Sequence, residues 1–153
     1  MTKPIPEGYH SITPVLMVDG AAKALEFYKK AFGAEERARM PAPDGKIAHC
    51  EFKVGDSIIM MSDVMPGFGA ATKASLYMYV SDCDAVWNRA LAAGGKTNMP
   101  MEDAFWGDRC GTLEDPFGNK WTISTHKEDV SPQEMEKRAA TFMAKMASTA
   151  EKK

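Results

Sequence analysis

The chain has 153 residues, of which 44% are hydrophobic and 26% are charged, a balance typical of one globular protein. Its formal net charge of -2 gives no reason to expect binding to nucleic acid or to an anionic membrane surface. Cys50, Cys83 and Cys110 form no CxxC pair, so we expect reduced thiols in a cytoplasmic protein rather than disulfides or a zinc site. No apolar run reaches the roughly 18 residues that a membrane-spanning helix requires.

The first part of the sequence predicts a strand, a helix and a second strand. The apolar segment SITPVLMV (11–18) predicts a buried strand, and Asp19 is expected to cap the helix that follows. Gly33 ends that helix. A strand near 35–40 then leads into the Pro- and Gly-containing turn at 41–45.

Residues 46–54 alternate between two sets of side chains, which predicts a strand with two different faces. Cys50 and Phe52 belong to the face expected to pack on the helices. The opposite face, expected to line a cavity, carries Ile47, His49, Glu51 and Lys53. Gly55-Asp56 predicts a hairpin turn into the strand SIIMMSD.

The same order of elements then starts again. A strand at 74–82 leads into a helix at 83–94, with Asp82 or Asp84 near its first turn. The remaining predicted strands lie at 96–107, 108–115 and 120–126.

A fixed offset of 62 residues relates the two halves. It maps Thr13 to Ser75, Val18 to Val80 and Gly33 to Gly95. Such an internal repeat is typical of a duplicated supersecondary unit that cannot bury its own sheet face alone. We therefore predict an α+β protein with two tandem βαβββ modules.

The predicted modules cover 9–66 and 74–127, joined by a Gly- and Ala-rich connector at 67–73. Ser131-Pro132-Gln133-Glu134 is a capping box and predicts a C-terminal helix at 131–149. The pattern leaves open whether this helix packs within its own subunit or on a dimer partner.

Two motifs carry a family resemblance: VDGAAKALEFYKKAFGAE at the first helix and EDPFGNKW before the last strand. With the repeat, they resemble the vicinal oxygen chelate superfamily of glyoxalase I, bleomycin-resistance proteins and extradiol dioxygenases. IIMMSDVMPGFG and THKEDVSPQEMEKR are similar to its PhnB-like branch. The resemblance implies the glyoxalase/bleomycin-resistance fold, with the two modules forming a curved mixed sheet around a cavity, and a homodimer, but the fold hosts many chemistries.

In metal-dependent members of that superfamily, four cavity-facing residues chelate one divalent ion. The motifs place Thr13, Met60, Ser75 and Thr122 at those positions. None is a usual ligand of a catalytic divalent metal. We therefore expect no metal or other cofactor at the usual site.

Other residues then become candidates for chemistry or recognition. His49 and Glu51 share the predicted cavity face and are the candidate catalytic residues for acid–base work. Tyr77 and Tyr79 fall on one strand face and offer flat rings with a polar tip. The further candidates for ligand binding are Trp106, Arg109, Met60, Ser75 and Thr122.

Three functions remain open at this point. One is a metal-independent protein that binds a small molecule, as bleomycin-resistance proteins do. Another is a glyoxalase- or dioxygenase-like lyase, isomerase or oxygenase that uses a displaced metal or His49 and Glu51. A third possibility is a structural dimer with a vestigial cavity.

Overall fold

The computed structural model describes residues 2–67 and 69–151, so Phe68 of the predicted connector lies outside the described residues. The elements in chain order are β1 (Val15–Val18), α1 (Ala21–Phe32), β2 (Glu35–Pro41), β3 (Ile47–Val54), β4 (Ser57–Asp63), β5 (Ser75–Tyr79), α2 (Cys83–Ala93), β6 (Lys96–Asp103), β7 (Asp108–Glu114), β8 (Lys120–His126) and α3 (Pro132–Glu151).

The eight strands form two four-stranded mixed sheets, in the orders β1-β4-β3-β2 and β5-β8-β7-β6. In each sheet the first strand of the module pairs in parallel with the last, and the other pairs are antiparallel. The predicted α+β class with two βαβββ modules and a C-terminal helix is confirmed. The strands are divided between two sheets, however, where one continuous curved sheet was expected.

Strand pairing repeats with the offset found in the sequence. Val15 pairs with Met60 in the first sheet, and Tyr77 pairs with Thr122 in the second, each partner displaced by 62 residues. The side-chain period of a strand is two, so equal register places equivalent residues on equivalent faces. Positions compared between the halves are therefore structurally equivalent along these strands.

The two helices lie between the two sheets and join them in one core. The Tyr28 ring of α1 stacks on Phe52 of the first sheet and contacts Trp121 of the second, each at a centroid distance of 5.2 Å. All three side chains are buried. Each sheet thus turns one face inward to the helices, and its outer face points away from the core.

A buried turn in the second half bonds to α1 of the first. Asp115 accepts hydrogen bonds from the Tyr28 hydroxyl at 2.6 Å and from the Trp121 indole at 2.9 Å. Its other oxygen accepts from two backbone N–H groups within the same turn. Asn119 at the end of this turn accepts from the Thr72 hydroxyl, so the turn holds the connector as well. The EDPFGNKW motif is therefore the joint between the modules.

The cap of α1 differs from the sequence prediction. Asp19 makes no capping bond, and Gly20, with φ of 101°, occupies the N-cap position without a side chain. Asp63 from the end of β4 supplies the cap instead, because one of its oxygens accepts from the N–H groups of Gly20 and Ala21. Its second oxygen accepts from Ile47 at 2.7 Å.

The same arrangement occurs in the second half at an offset of 62 residues. Thr125 at the end of β8 accepts from the N–H of Cys83, the first residue of α2, at 2.9 Å. The cap from Asp82, one of the two predicted candidates, adds a bond to Ala85. The last strand of each module thus binds the start of that module's helix, with a charged acceptor in one half and a neutral one in the other.

Two predicted details of the first module are wrong. The first strand begins at Val15, four residues later than predicted, because the chain before it lies across the outer face rather than in the ladder. Ile47 was assigned to the cavity face but is buried in the core. An irregularity in the pairing between Met40 and Pro41 shifts the register there, so the alternation is broken at the start of β3.

The C-terminal helix α3 forms as predicted and begins at the Ser131 cap, which accepts from the N–H of Glu134. It contributes no buried residue. Arg138 anchors it through a bond to the Phe105 carbonyl, and its apolar side chains Met143 and Met146 remain 64% and 56% exposed. Within residues 2–67 and 69–151, the helices are all too short or too polar to cross a membrane.

Replacing Asp63 with Asn should destabilise the fold by about 1–3 kcal/mol, because an amide nitrogen then faces a backbone donor. Burial opposes ionisation of Asp63, but the three backbone N–H groups outweigh it and lower its pKa. A depressed carboxyl pKa contributes stability above the unfolded value of about 3.9 and loses it as pH falls through the folded value.

Urea unfolding at pH 7, 5 and 3 checks this expectation. The difference in free energy of unfolding between the wild type and Asp63→Asn should be largest at pH 7 and should shrink toward pH 3. Asp56→Asn, in the exposed turn between β3 and β4, is the matched control and should have little effect. A difference that stays constant down to pH 3 would rule out the charged cap.

Candidate functional site

A cleft of about 670 Å³ lies between the outer face of the second sheet and α3. Its floor comes from β7 and β8, one wall from α3, and its mouth from the segment that joins β6 to β7. The lining residues include Tyr77, Met99, Phe105, Trp106, Cys110, Thr112, Thr122, Lys137, Phe142 and Lys145. Such a mostly apolar cleft with a few polar groups is the usual form of a small-molecule site.

Two threonines form the polar centre of the floor. Thr112 and Thr122 face each other on β7 and β8, and their hydroxyl oxygens lie 2.7 Å apart. Their structural equivalents in the first sheet are Glu51 and Met60, which also pair. The second half thus has two small neutral groups where the first has a carboxylate and a thioether.

The four positions that the family resemblance implies for a metal carry residues that are poorly suited to a divalent ion. Three hydroxyl side chains and one thioether are weak donors for such a metal. Thr13 and Met60 line the outer face of the first sheet, while Thr122 lines the cleft on the second sheet. Within the described residues, no group of three His, Cys, Asp or Glu side chains is arranged to hold a metal.

Five aromatic side chains follow one another along the mouth of the cleft, and we call them the aromatic row. Tyr79 contacts Tyr77 at a centroid distance of 5.3 Å, and the Trp106 indole donates to the Tyr77 hydroxyl at 3.2 Å. Phe105 then contacts both Trp106 and Phe142, at 5.0 and 5.1 Å. The row therefore connects β5 to α3.

The carboxylate of Asp108 lies beneath this row and has only 2% of its side-chain surface exposed. The hydroxyls of Tyr77 and Tyr79 donate to it at 2.6 and 3.0 Å, and the Trp106 indole donates at 3.2 Å. Burial by itself would raise the pKa of Asp108, but the surrounding donors, Tyr77 first among them, outweigh it and lower that pKa. Asp108 is therefore a fixed negative charge.

His126 holds the other oxygen of this carboxylate. Its Nδ1 lies 2.8 Å from Asp108 and its Nε2 lies 2.7 Å from Asp129. Both nitrogens face carboxylate oxygens, so both donate only when the ring is an imidazolium. Asp129, followed by Asp108, raises the pKa of His126 accordingly.

The outer face of the first sheet carries the predicted catalytic pair. His49 Nε2 lies 3.3 Å from Glu51 Oε1, and both side chains are partly exposed. The Tyr9 hydroxyl is buried beside Glu51 but does not meet ordinary hydrogen-bond geometry. It is nevertheless the largest influence that lowers the pKa of the Glu51 carboxyl. Burial and Glu51 raise the pKa of Tyr9 to about 12. Thr13 and Met60 complete this shallow pocket.

The structure separates the predicted site residues into four places, of which the last is that of Arg109 alone. Tyr77, Trp106 and Thr122 line the cleft, with Tyr79 at its edge. Met60 lies with His49 and Glu51 on the opposite side of the molecule. Ser75 is exposed at the end of the edge strand β5.

Arg109 does not line the cleft. It lies on the opposite face of β7 from Cys110 and makes a two-pronged ion pair with Asp84 of α2, both distances being 3.0 Å. A second, longer contact reaches Asp103. Strand alternation from Thr112 would have placed Arg109 on the helix-facing side.

Sequence reasoning missed the two residues that organise the site. These are Asp108, the first residue of β7, and His126, the last residue of β8, and neither was among the predicted site residues. Alternation from Cys110 would have placed Asp108 on the outer face. Nothing local to either residue, however, indicates that two tyrosines 29 and 31 residues away donate to the same carboxylate.

Comparison with known proteins agrees with this architecture. The family model of the Glyoxalase/Bleomycin resistance protein/Dioxygenase superfamily matches residues 9–123. The chain belongs to this superfamily. Because the match stops before α3, one wall of the cleft lies outside the part that defines the family.

Individual relatives span most of the chain. An uncharacterized protein of Mycobacterium bovis is 38% identical over 136 residues, covering 82% of this chain and 90% of the relative. Protein YjdN of Escherichia coli is 35% identical over 143 residues, covering 76% and 96%. Among solved structures, the PhnB protein from Bacillus cereus is similar with a TM-score of 0.62 and 25% identity, covering 76% and 99%.

We expect NMR titration of the imidazole protons to give a pKa for His126 above the ordinary value of about 6.5. A raised histidine pKa contributes stability below that value and loses it as pH rises through the folded pKa. Asp129→Asn should lower the pKa of His126, because Asp129 is the larger of its two influences. His126→Gln assigns the signal, and an unchanged titration in Asp129→Asn would contradict the imidazolium bridge.

Proposed function

We propose that the protein binds a small organic molecule in the cleft between the second sheet and α3, without the divalent metal used by other members of its superfamily. The observation that carries this proposal is the cleft itself: about 670 Å³ of mostly apolar space beside the aromatic row. That volume lies within the range of about 300–1,000 Å³ common for ligand sites. Thr112 and Thr122 offer hydroxyls at its floor.

The donor chemistry supports the metal-independent form of this function. Thioether sulfur and neutral hydroxyls bind Mg²⁺, Mn²⁺ or Zn²⁺ poorly beside the imidazole and carboxylate ligands found in metal enzymes. Polar recognition in the cleft would instead come from hydroxyl groups and from the ionised side chains on α3 and β6.

A catalytic function through His49 and Glu51 is the alternative, and their contact at 3.3 Å is the observation in its favour. Two features weaken it. A general base works best with a pKa near the working pH, whereas the pKa of Glu51 is lowered. The pocket beside Glu51 is also smaller than the cleft, at about 420 Å³, and His49 is not among the residues that line it.

The neutral fluorescent probe N-phenyl-1-naphthylamine tests whether the cleft binds apolar ligands. We expect saturable binding of about one probe per chain, with loss of at least tenfold in affinity for Thr122→Trp, because an indole at this position fills the floor. The matched control is Met60→Trp, the equivalent position in the first sheet, which should retain binding. Equal loss in both variants would contradict binding in the cleft.

We also infer that the chain falls in the PhnB-like branch, a reading supported by its likeness to the Bacillus cereus PhnB protein. We further propose a cytoplasmic homodimer. The dimer is supported by exposed apolar side chains at the edge of the first sheet, where Val15 of β1 and Ile12 just before it are 54% and 86% exposed. The cytoplasmic location is supported by three buried free cysteines.

Light scattering coupled to gel filtration tests the oligomeric state. We expect the mass of two chains at micromolar concentration, and the mass of one chain for Val15→Lys, since a charge buried at an interface is costly. Lys23→Glu, on the exposed side of α1 and away from the first sheet's outer face, controls for a change of charge alone. A single-chain mass for the wild type would rule out the dimer.

A further inference from the structure

The polar hydrogens at one end of the aromatic row are all committed to one buried acceptor. The Tyr77 and Tyr79 hydroxyls direct their hydrogens to Asp108, and the Trp106 indole shares its hydrogen between Asp108 and the Tyr77 oxygen. These three side chains therefore have no hydrogen left to offer a ligand. An anionic headgroup placed against them would find no donor among the three.

The parts of these side chains that face outward are electron-rich and are not hydrogen-bond donors. The faces of aromatic rings are negative, and a tyrosine oxygen that donates its hydrogen keeps lone pairs that can accept. Tyr77 and Tyr79 are 46% and 63% exposed, and Trp106 is 37% exposed, so their rings are accessible. Ring faces and lone pairs both attract a positive charge.

The buried charge below the rings adds to this preference. With His126 as an imidazolium between Asp108 and Asp129, the three ionised groups carry one net negative charge. Asp108 is fixed in place by its donors and lies in poorly hydrated surroundings, where an electric field is less screened than in water. A cation over the rings would be attracted by their faces and by this carboxylate together.

We propose that Tyr77, Tyr79 and Trp106, backed by Asp108, form a subsite for an organic cation, namely the ammonium group of an amine ligand. The inference rests on the proposed function of the cleft and names its ligand class. The apolar body of the ligand lies along the rest of the aromatic row, on Phe105 and Phe142. The amine, primary or quaternary, sits at the β5 end.

Positive side chains on the opposite wall are the main competing influence. Lys137 and Lys145 of α3 also line the cleft and favour an anionic ligand. Both are on the exposed helix, where charge interactions are weakened by water and by salt. The fixed carboxylate and rings therefore set the charge preference at the β5 end of the cleft.

Three probes with one aromatic ring and different headgroups test the charge preference: benzyltrimethylammonium, benzyl alcohol and benzoate. NMR titration of the Trp106 indole N–H, assigned with Trp106→Phe, reports on binding at the subsite. We expect the cation to bind roughly fivefold to thirtyfold tighter than the alcohol or benzoate, the range of a partly desolvated cation–π contact. Equal or tighter binding of benzoate, or no binding of the cation, would overturn the proposal.

Variants of one exposed tyrosine separate the ring from its hydroxyl. Tyr79→Leu should lose most of the preference for the cation, because it removes a ring face. Tyr79→Phe keeps the ring and should keep the preference for this quaternary probe, which has no hydrogen to donate. Asp108→Asn should also reduce the preference for the cation. If this variant does not fold, the comparison of Tyr79→Leu with Tyr79→Phe decides the test. Equal affinities in Tyr79→Leu and the wild type would contradict the subsite.

The neutral naphthylamine distinguishes failure of this inference from failure of the proposed function. Binding of that probe in the cleft, with no preference among the three charged and neutral headgroups, overturns the cation subsite alone. Absence of naphthylamine binding in the wild type overturns the cleft as a ligand site, and the cation subsite with it.

Discussion

The hydrogen bond from Tyr28 to Asp115 is the interaction on which the arrangement of the molecule depends. A buried carboxylate needs hydrogen-bond donors in place of water, and this one takes them from α1, from Trp121 and from its own turn. The second module supplies three of these donors, and the first module's helix supplies the fourth, so the turn is complete only when the two modules are packed together. Both sheets then share one layer of helices, and both outer faces are left free for other uses.

The duplication and the main features of the strands could be predicted from sequence. The alternation of side chains along a strand and the fixed offset between the two halves can both be read from the residues, and tertiary packing seldom overrides such patterns. The offset accounts for the equivalence of the pairs Val15–Met60 and Tyr77–Thr122, although the pairing itself was not predicted. The cap of α1 could not be predicted in the same way, since a suitable residue, Asp19, stands at the expected place. Asp63 caps the helix because β4 ends beside its first turn, and only the folded chain brings them together.

The candidate site was predictable to the extent that it follows strand alternation. Tyr77, Tyr79 and Thr122 lie on the outer face as the pattern requires. The role of Asp108 depends on hydrogen bonds between three separate segments, and the division into two sheets moves Glu51 and His49 away from the tyrosines. Equivalent outer faces have thus become different: a histidine–carboxylate pair under the N-terminal segment in one half, and a neutral floor beneath aromatic rings in the other.

The exposed helix α3 has a consequence for how this protein can change. It follows the duplicated unit, buries none of its residues, and yet forms a wall of the cleft. Substitutions along that wall would alter what the cleft accepts with little penalty to folding. The opposite wall belongs to strands whose inward residues hold the core together. The wall formed by α3 can thus evolve to accept new ligands, while the wall formed by the strands keeps its shape.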